Sequence, residues 1–395
     1  MADFTLSPDQ AEALEKFSAW LKLPAKSHKR PWFSIHGLAG SGKTSIGLKL
    51  VEQHKGQIYA MAYSGKAAEV LRRKGLPGKT IHSTIYLPAT ERNLEEEKLQ
   101  EELRATPTLS PEKQRKIRNR LEALNQPAFT LRPQSPFAPN GIVVLDECSM
   151  CGPEEAEDLI SFELPILVLG DPFQLAPIKG KGYFDHNPDF VLTHIHRQAA
   201  ESPVIKLATM AREGRRPPLG VYGDSRVVSK NQITAAQLCA VDQVICGSNR
   251  KRIELNRLIR KHRGLIGEFP VKGDKIICLR NNYVTGVLNG QMFELAEDSG
   301  EENGKVSLPL TDGRRLFSHP ECFTAPDELK SWNYRDRKRA EEVDWGACIT
   351  GHRAQGSEWP NTVVIQDMFK WNPEELNRWT YSALTRASNS VILGL

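Results

Sequence analysis

Gly37-Leu38-Ala39-Gly40-Ser41-Gly42-Lys43-Thr44 decides how the rest of the chain is read. The octet fits G-x-x-x-x-G-K-[ST], follows the apolar run Trp32 to His36 and leads into a helical run through Leu50. Gly37, Gly40 and Gly42 let the backbone curl until its N–H groups and the helix N-terminus face phosphate oxygens, with Ser41 and Ser45 on the same stretch. Lys43 reaches the outer phosphates and the Thr44 hydroxyl reaches Mg2+. A strand, a phosphate loop and a helix in that order predict a parallel α/β sheet.

Farther along, Ile142-Val143-Val144-Leu145 reads as a buried strand ending in Asp146-Glu147. Two carboxylates then stand at the C-terminal strand edge, where open α/β sheets bind ligands. Asp146 is expected to hold Mg2+ through water, and Glu147 to position and deprotonate an attacking water. The strand Ile166 to Leu169 runs into Gly170-Asp171-Pro172-Phe173-Gln174, where Gln174 is expected to sense the terminal phosphate. Gln57 to Ala62 is a fourth strand of the same kind. Cys148 and Cys151 form a C-x-x-C with no second ligand pair nearby, and the seven cysteines are an odd, scattered set. That pattern reads as reduced thiols, neither a metal site nor a disulfide framework.

Between Pro88 and Asn140 the alternation breaks into a charged stretch, acidic from Glu91 to Glu102 and basic from Lys113 to Arg120. Ser110-Pro111-Glu112 resembles a helix start, and Ile117, Leu121 and Leu124 fall on one helical face, so this insertion reads as a helical hairpin. A second alternating region follows Glu201. It has a strand at Gln243 to Cys246, a basic helix from Arg250 to Arg263, and strands at Thr362 to Gln366 and Ser390 to Leu393. Short β signals are set into it at Lys275 to Leu279, Gln291 to Leu295 and Lys305 to Phe317, the last with Asp312-Gly313 at a tight turn. They read as a small β-barrel inserted in a second α/β domain.

A length of 395 residues suits at least two cores. Hydrophobic residues at 39% and charged residues at 26% exclude a disordered chain. The longest apolar runs, such as Ile166 to Leu169, fall far short of the roughly 18 residues a membrane span needs. Met1-Ala2-Asp3-Phe4 also lacks a basic start before an apolar segment, so the cytoplasm is the expected location and no membrane partner is expected. The net charge of +5 is compatible with a polyanion but too small to identify one.

These motifs occur together with Leu6-Ser7-Pro8-Asp9-Gln10, Ala62-Tyr63-Ser64-Gly65-Lys66-Ala67-Ala68, Thr80-Ile81-His82-Ser83 and His196-Arg197-Gln198. Gly351-His352-Arg353-Ala354-Gln355-Gly356 and Tyr381-Ser382-Ala383-Leu384-Thr385-Arg386-Ala387 complete the set. In content and order it resembles the superfamily 1 DNA helicases of the RecD-like and Dda-like group, over nearly the whole chain. The resemblance implies two RecA-like P-loop NTPase domains, residues 1–195 and 196–395, clamping ATP and Mg2+ in their cleft. It implies a helical insertion at 88–140 and a small SH3-like β-barrel at about 280–345. On it, Gln10 reads the adenine, and Arg197 and Arg386 reach the γ-phosphate, where such arginines stabilise developing charge.

The same resemblance assigns a nucleic-acid track to Ser64, Lys66, His82 and Ser83 in the first half and to His352, Gln355 and Ser357 in the second. It adds Asn281, Asn282, Asn289 and Gly290 beside the small β-domain. Polar and basic groups of this kind grip phosphates without reading sequence. Ser64 stands where the family more often has Thr, and Arg353-Ala354 where Lys-Ser is common. The insertion reads as helical where the family typically carries a β-hairpin pin. The implied activity is ATP-driven 5′→3′ movement on single-stranded DNA with unwinding of forked duplexes, by a monomer on DNA. RNA helicase or remodelling activity on the same engine, a small-molecule kinase and a non-catalytic ATP-binding protein are the alternatives that nucleic-acid stimulation of ATPase separates.

Overall fold

Runs such as Ile142-Val143-Val144-Leu145 are apolar at every position, so both faces of their strands need cover, which a parallel sheet between helices supplies. The computed structural model describes residues 6–23, 29–87, 99, 101–103, 110–125, 131–175, 182–184, 187–194, 201–282, 285–332, 334–337, 339–367 and 372–395. Its first sheet comprises β1 (Trp32–Gly37), β2 (Ile58–Ala62), β3 (Lys79–Thr80), β4 (Ile142–Asp146), β5 (Ile166–Gly170) and β6 (Phe190–Leu192). They lie in the order β3-β2-β4-β5-β1-β6, every pair parallel. The helix Pro8–Leu21 starts with Ser7 as N-cap, proline in its first turn and a capping box closed by Gln10. Its Ala13, Leu14 and Phe17 pack on Phe33 and Ile35 of β1. Full burial of a side chain such as Phe17 contributes about 1.5–3 kcal/mol.

A second sheet opens with β7 (Gly220–Tyr222), β8 (Ser225–Val228) and β9 (Gln243–Cys246). The chain then passes through β10 (Lys275–Cys278), β11 (Met292–Glu294), β12 (Gly300–Glu302), β13 (Lys305–Pro309), β14 (Arg315–Ser318) and β15 (Val343–Trp345). It returns as β16 (Cys348–Thr350), β17 (Trp359–Ile365) and β18 (Ala387–Gly394). The second sheet has the order β16-β9-β17-β18-β8-β7, parallel except for the antiparallel edge strand β7. The expected basic helix spans Asn249–His262, capped by Ser248, whose side chain accepts the Lys251 N–H.

The chain divides into two compact units. One contains Met1–Ile81, Phe137–Gly264 and Trp345–Leu395, and so carries both six-stranded sheets. Within it the helices Pro203–Arg212 and Pro373–Leu384 pack together. The other contains His82–Pro136 and Leu265–Asp344, so the stretch expected to begin near residue 280 joins its unit from Leu265. The reason is pairing: β10 is hydrogen-bonded to β11, Ile276 opposite Phe293, and cannot be separated from the strands that follow.

In that second unit, three-stranded sheets β11-β10-β15 and β12-β13-β14 share a core that includes Ile276, Val306, Leu308 and Leu316. The β13–β14 hairpin turns at Asp312-Gly313, with Gly313 at φ 84° and its N–H donating to Leu310 O. The helix Pro111–Asn125 forms where Ser110-Pro111-Glu112 predicts it, and Ile117 is buried. Its Lys113 pairs with Glu102 at 2.7 Å, joining the basic and acidic runs. Most of the other arm of the expected hairpin lies outside the described residues.

Candidate active site

The phosphate loop hangs from the C-terminal end of β1. A Cβ on Gly37 would sit 2.5 Å from Ser41 Oγ, and Gly42, the N-cap of the helix Lys43–Gln53, has φ 72°. Those two positions need glycine, one for space and one for handedness. Gly40 shares the left-handed region, and the Ser45 N–H closes the first helical turn on Gly42 O. Lys43 Nζ donates to the carbonyls of Gly37 at 2.7 Å and Leu38 at 3.0 Å. Ser41 Oγ is buried with no hydrogen-bond partner in the protein.

Gln10 is 0% exposed, so it is not a solvent-facing first-turn residue. Its Nε2 donates to Ser41 O at 3.0 Å and Gly42 O at 3.1 Å, while Oε1 accepts the Ser7 N–H at 2.9 Å. One amide thereby ties the start of the first helix to the carbonyl side of the phosphate loop.

Thr44 and Asp146, separated by a hundred residues of sequence, meet at the tips of adjacent elements. Thr44 Oγ1 donates to Asp146 Oδ2 at 3.1 Å, and the Glu147 N–H donates to Asp146 Oδ1 at 2.9 Å. Burial, then the neighbouring Glu147 charge, push the Asp146 carboxyl above its ordinary pKa, against the pull of Lys43 and Lys74. Such an environment favours a cation beside it. Glu147 adopts φ 56°, a left-handed conformation uncommon for a residue with a Cβ, and so turns the chain sharply after β4.

A cavity of about 480 Å3 joins these groups. Lys43, Thr44, Asp146, Glu147 and Gln174 line it from the first sheet, and Arg386 from the second. Gln174 is buried and its Oε1 has no hydrogen-bond partner. Arg386 is 6% exposed, with Nε donating to Ser382 O at 3.0 Å, Nη1 to Ser357 O at 3.3 Å and Nη2 to Thr385 Oγ1 at 3.2 Å. Arg197, expected to act with Arg386, lies outside the described residues.

Two groups that sequence reasoning passed over complete the cleft. Glu358 lines the same cavity directly after Ser357. Tyr381 accepts the Ala39 N–H at 2.9 Å and donates to Asp171 Oδ2 at 2.6 Å. Both Tyr381 and Asp171 belong to stretches quoted for the resemblance, but nothing in the linear order brings a tyrosine to a loop more than three hundred residues upstream.

The expected track is only partly exposed. Ser64 caps the helix Gly65–Arg73 by accepting the Ala67 N–H, and Lys66 Nζ lies 4.5 Å from the centroid of the Trp359 ring. His352 is half-buried, and that burial lowers its pKa. Gln355 and Ser357 correct the expectation, being 8% and 4% exposed. Gln355 Nε2 donates to Leu175 O at 2.8 Å and Ser357 lines the nucleotide-side cavity, so neither side chain faces a passing polymer. Their segment is pressed inward at Gly356, where a Cβ would meet Ser64 Oγ at 2.8 Å and Ala67 Cβ at 2.9 Å.

His82, Ser83, Asn281, Asn282 and Asn289 belong to the second unit. There His82 is buried and Ser83 exposed. Asn282 Nδ2 donates to Glu341 Oε1 at 2.8 Å, and Asn281 Oδ1 accepts the Asn289 N–H at 2.7 Å. Cys148 and Cys151 are buried and form no disulfide, and among the described residues no His, Cys, Asp and Glu side chains cluster to hold a metal. Nor, among those residues, is any helix long and apolar enough to cross a membrane.

Paired parallel sheets with a phosphate loop, a Thr–Asp contact and an arginine on one cleft define a P-loop protein of the two-sheet kind. Residues 5–234 match the AAA domain family, more than half of the chain, and residues 346–393 match the UvrD-like helicase C-terminal domain. The chain belongs to the AAA domain family.

An ATP-dependent RecD2 DNA helicase of Deinococcus radiodurans is 25% identical over 285 residues, which is 63% of this chain. The chain spans 36% of the length of that curated relative. Two Pif1 helicase structures share the fold over almost the whole chain. One, of two coordinating Pif1 helicases at forked double-stranded DNA, has TM-score 0.53 and 15% identity, covering 99% of this chain and 92% of that one. The other, Bacteroides Pif1 bound to single-stranded DNA, has TM-score 0.52 and 16% identity, covering 100% and 93%. The parallel sheets therefore match the RecA-like sheets of Pif1 helicases.

Proposed function

We propose that the chain is an ATP- and Mg2+-dependent DNA motor that moves 5′→3′ on single-stranded DNA and unwinds forked duplexes. The observation that carries this reading is the single cleft in which Lys43, Thr44, Asp146, Glu147 and Gln174 face Arg386 from the other sheet. The residues fit a magnesium nucleotide. Gln174 Oε1 is buried and unpartnered on the cavity wall, a polar atom that a water beside the terminal phosphate would satisfy. Gly37 has no room for a side chain, because a Cβ there would meet Ser41 Oγ and Leu192 Cβ, so the loop packs closely on its own sheet.

On this reading Lys43 and the loop amides bind the phosphates and Thr44 and Asp146 would hold the metal, whereas Gln10, fully buried with its amide on Ser41 O, Gly42 O and the Ser7 N–H, braces the loop and does not read the adenine. Mg2+, when bound, neutralises charge on the β- and γ-phosphate oxygens. Glu147 orients the attacking water and accepts its proton, Gln174 holds that water in place, and Arg386, with Arg197, stabilises charge that develops on the departing phosphoryl group.

Movement follows if closing the cleft changes the grip on the strand. Opening one base-pair step costs about 1.4 kcal/mol, which a passive wedge recovers only by holding the frayed end in place. Two grips whose affinities alternate with the nucleotide supply direction instead. Ser64, Lys66, Ser83, Asn281, Asn282, Asn289 and His352 are the proposed contacts, and His82, buried like Gln355, is not among them. The two sheets are read as RecA-like domains at 1–195 and 196–395. The insertion at 88–140 is read as helical and the strands β10 to β15 as an SH3-like barrel, in a protein acting on DNA as a monomer. The 5′→3′ polarity rests on the resemblance of the motif set to the RecD-like and Dda-like group.

The test is ATPase activity with and without single-stranded DNA, then unwinding of duplexes with a single 5′ or 3′ tail. Strong stimulation and 5′-tail dependence are expected. ATPase indifferent to any polynucleotide refutes the motor, greater stimulation by RNA of equal length moves the substrate to RNA, and unwinding only from a 3′ tail refutes the polarity.

A further inference from the structure

Three elements proposed to meet phosphate are tied to one helix of the second sheet. From Pro373–Leu384, Arg378 Nη1 donates to Pro172 O at 2.9 Å and Ser382 Oγ accepts the Leu175 N–H at 2.9 Å. With Gln355 Nε2 on Leu175 O, these bonds hold the turn that carries Gln174 from both ends. Arg386 follows the same helix, and its guanidinium reaches back to Ser382 O. Tyr381 adds the third element, because its hydroxyl bonds at once to Ala39 N–H in the phosphate loop and to Asp171 at the root of the Gln174 turn.

The chemistry of that contact is more than packing requires. Tyr381 and Asp171 are 2% and 3% exposed, and burying a phenol with a carboxylate carries a desolvation cost that their mutual hydrogen bond offsets. The Phe173 N–H holds the other carboxylate oxygen at 3.0 Å, so Asp171 presents Oδ2 to the phenol in one orientation. A hydroxyl that donates one way and accepts the other has a defined direction, and it fixes the Ala39 peptide relative to a helix that ends beside Arg386.

We propose that Tyr381 is a positioning residue: through Ala39 and Asp171 it sets the phosphate loop and the Gln174 turn in register with Arg386, so that phosphate held by the loop is aligned with the arginine across the cleft. This rests on the ATPase reading above. It places the residue's effect on turnover and leaves nucleotide capture to Lys43 and the loop amides. Misplacement of a catalytic group by about 1 Å costs on the order of 100-fold in rate.

The experiment compares wild type, Tyr381→Phe and Thr380→Val in steady-state ATPase assays with Mg-ATP and a single-stranded oligodeoxynucleotide, alongside thermal melts. Thr380→Val removes the bond that the same helix accepts from Gln366, and neither of these two residues lines the cavity. Tyr381→Phe is expected to lower kcat by about 10- to 100-fold with the KM for ATP within about threefold. Thr380→Val is expected to keep kcat within about threefold. A Tyr381→Phe enzyme with wild-type kcat overturns the proposal, as does an equal loss in both variants, which would mean the helix is merely being loosened. A wild-type protein with no nucleic-acid-stimulated turnover overturns the ATPase reading itself, a separate result.

Discussion

Replacing Arg386 by alanine tests the cleft most directly, because the size of the effect follows from where the side chain sits. The guanidinium is 6% exposed and its hydrogen bonds run to two carbonyls and a hydroxyl, all neutral acceptors. A buried cation with neutral partners keeps its attraction for a new anion. At about 4 Å and an effective dielectric of about 20, one unit charge on another is worth about 4 kcal/mol. If that attraction develops in the transition state and is weak in the ground state, about 4 kcal/mol corresponds to about a thousandfold in kcat. Arg386→Ala is therefore expected to lower kcat about 10³-fold while ATP affinity, set by Lys43 and the loop, changes only a few-fold. Steady-state ATPase with saturating single-stranded DNA measures the first, and equilibrium binding of Mg-ATP the second. Arg386→Lys keeps the charge but not the three-way fork, and should recover about tenfold of the loss. Wild-type kcat in Arg386→Ala, or a raised KM with kcat unchanged, would refute the reasoning, since either result means the arginine does not act on the reacting phosphate.

Lys43→Ala should abolish ATP binding and turnover together, whereas Glu147→Gln should retain ATP binding and lose turnover; a Glu147→Gln enzyme at full rate removes the proton-accepting role. Gln10→Ala removes two bonds to buried carbonyls and a capping contact, and should lower unfolding free energy by about 2–4 kcal/mol in denaturant melts. A change under about 0.5 kcal/mol would mean the brace is dispensable. His36 sits buried at the end of β1, and that burial pushes its imidazole down from 6.5 to about 4. A folded-state pKa below the unfolded one leaves stability intact above about pH 6.5. It is then lost progressively as the unfolded chain takes up the proton, levelling near pH 4, with a contribution on the order of 3 kcal/mol. Urea melts between pH 7.5 and 4.5 should show that slope, and a His36→Asn protein with the same slope would assign it to other groups.

Much of this molecule was open to reading from the chain alone, for a local reason. Gly37 to Thr44 carries its own geometry in its glycines, and a strand such as Ile142 to Leu145 announces burial on both faces and ends on the two carboxylates that line the cavity. The capping box at Ser7 and Gln10 and the Asp312-Gly313 turn are likewise set within a few residues. Register across distance has no such local code. That Gln10 grips the carbonyls of Ser41 and Gly42, that Gln355 and Ser357 turn inward, and that Tyr381 reaches Ala39 and Asp171 depend on how two sheets fold around one cleft. Hydrogen-bond partners of buried polar groups are chosen by whichever groups the packed backbone brings within 3 Å, and only the tertiary structure makes that choice.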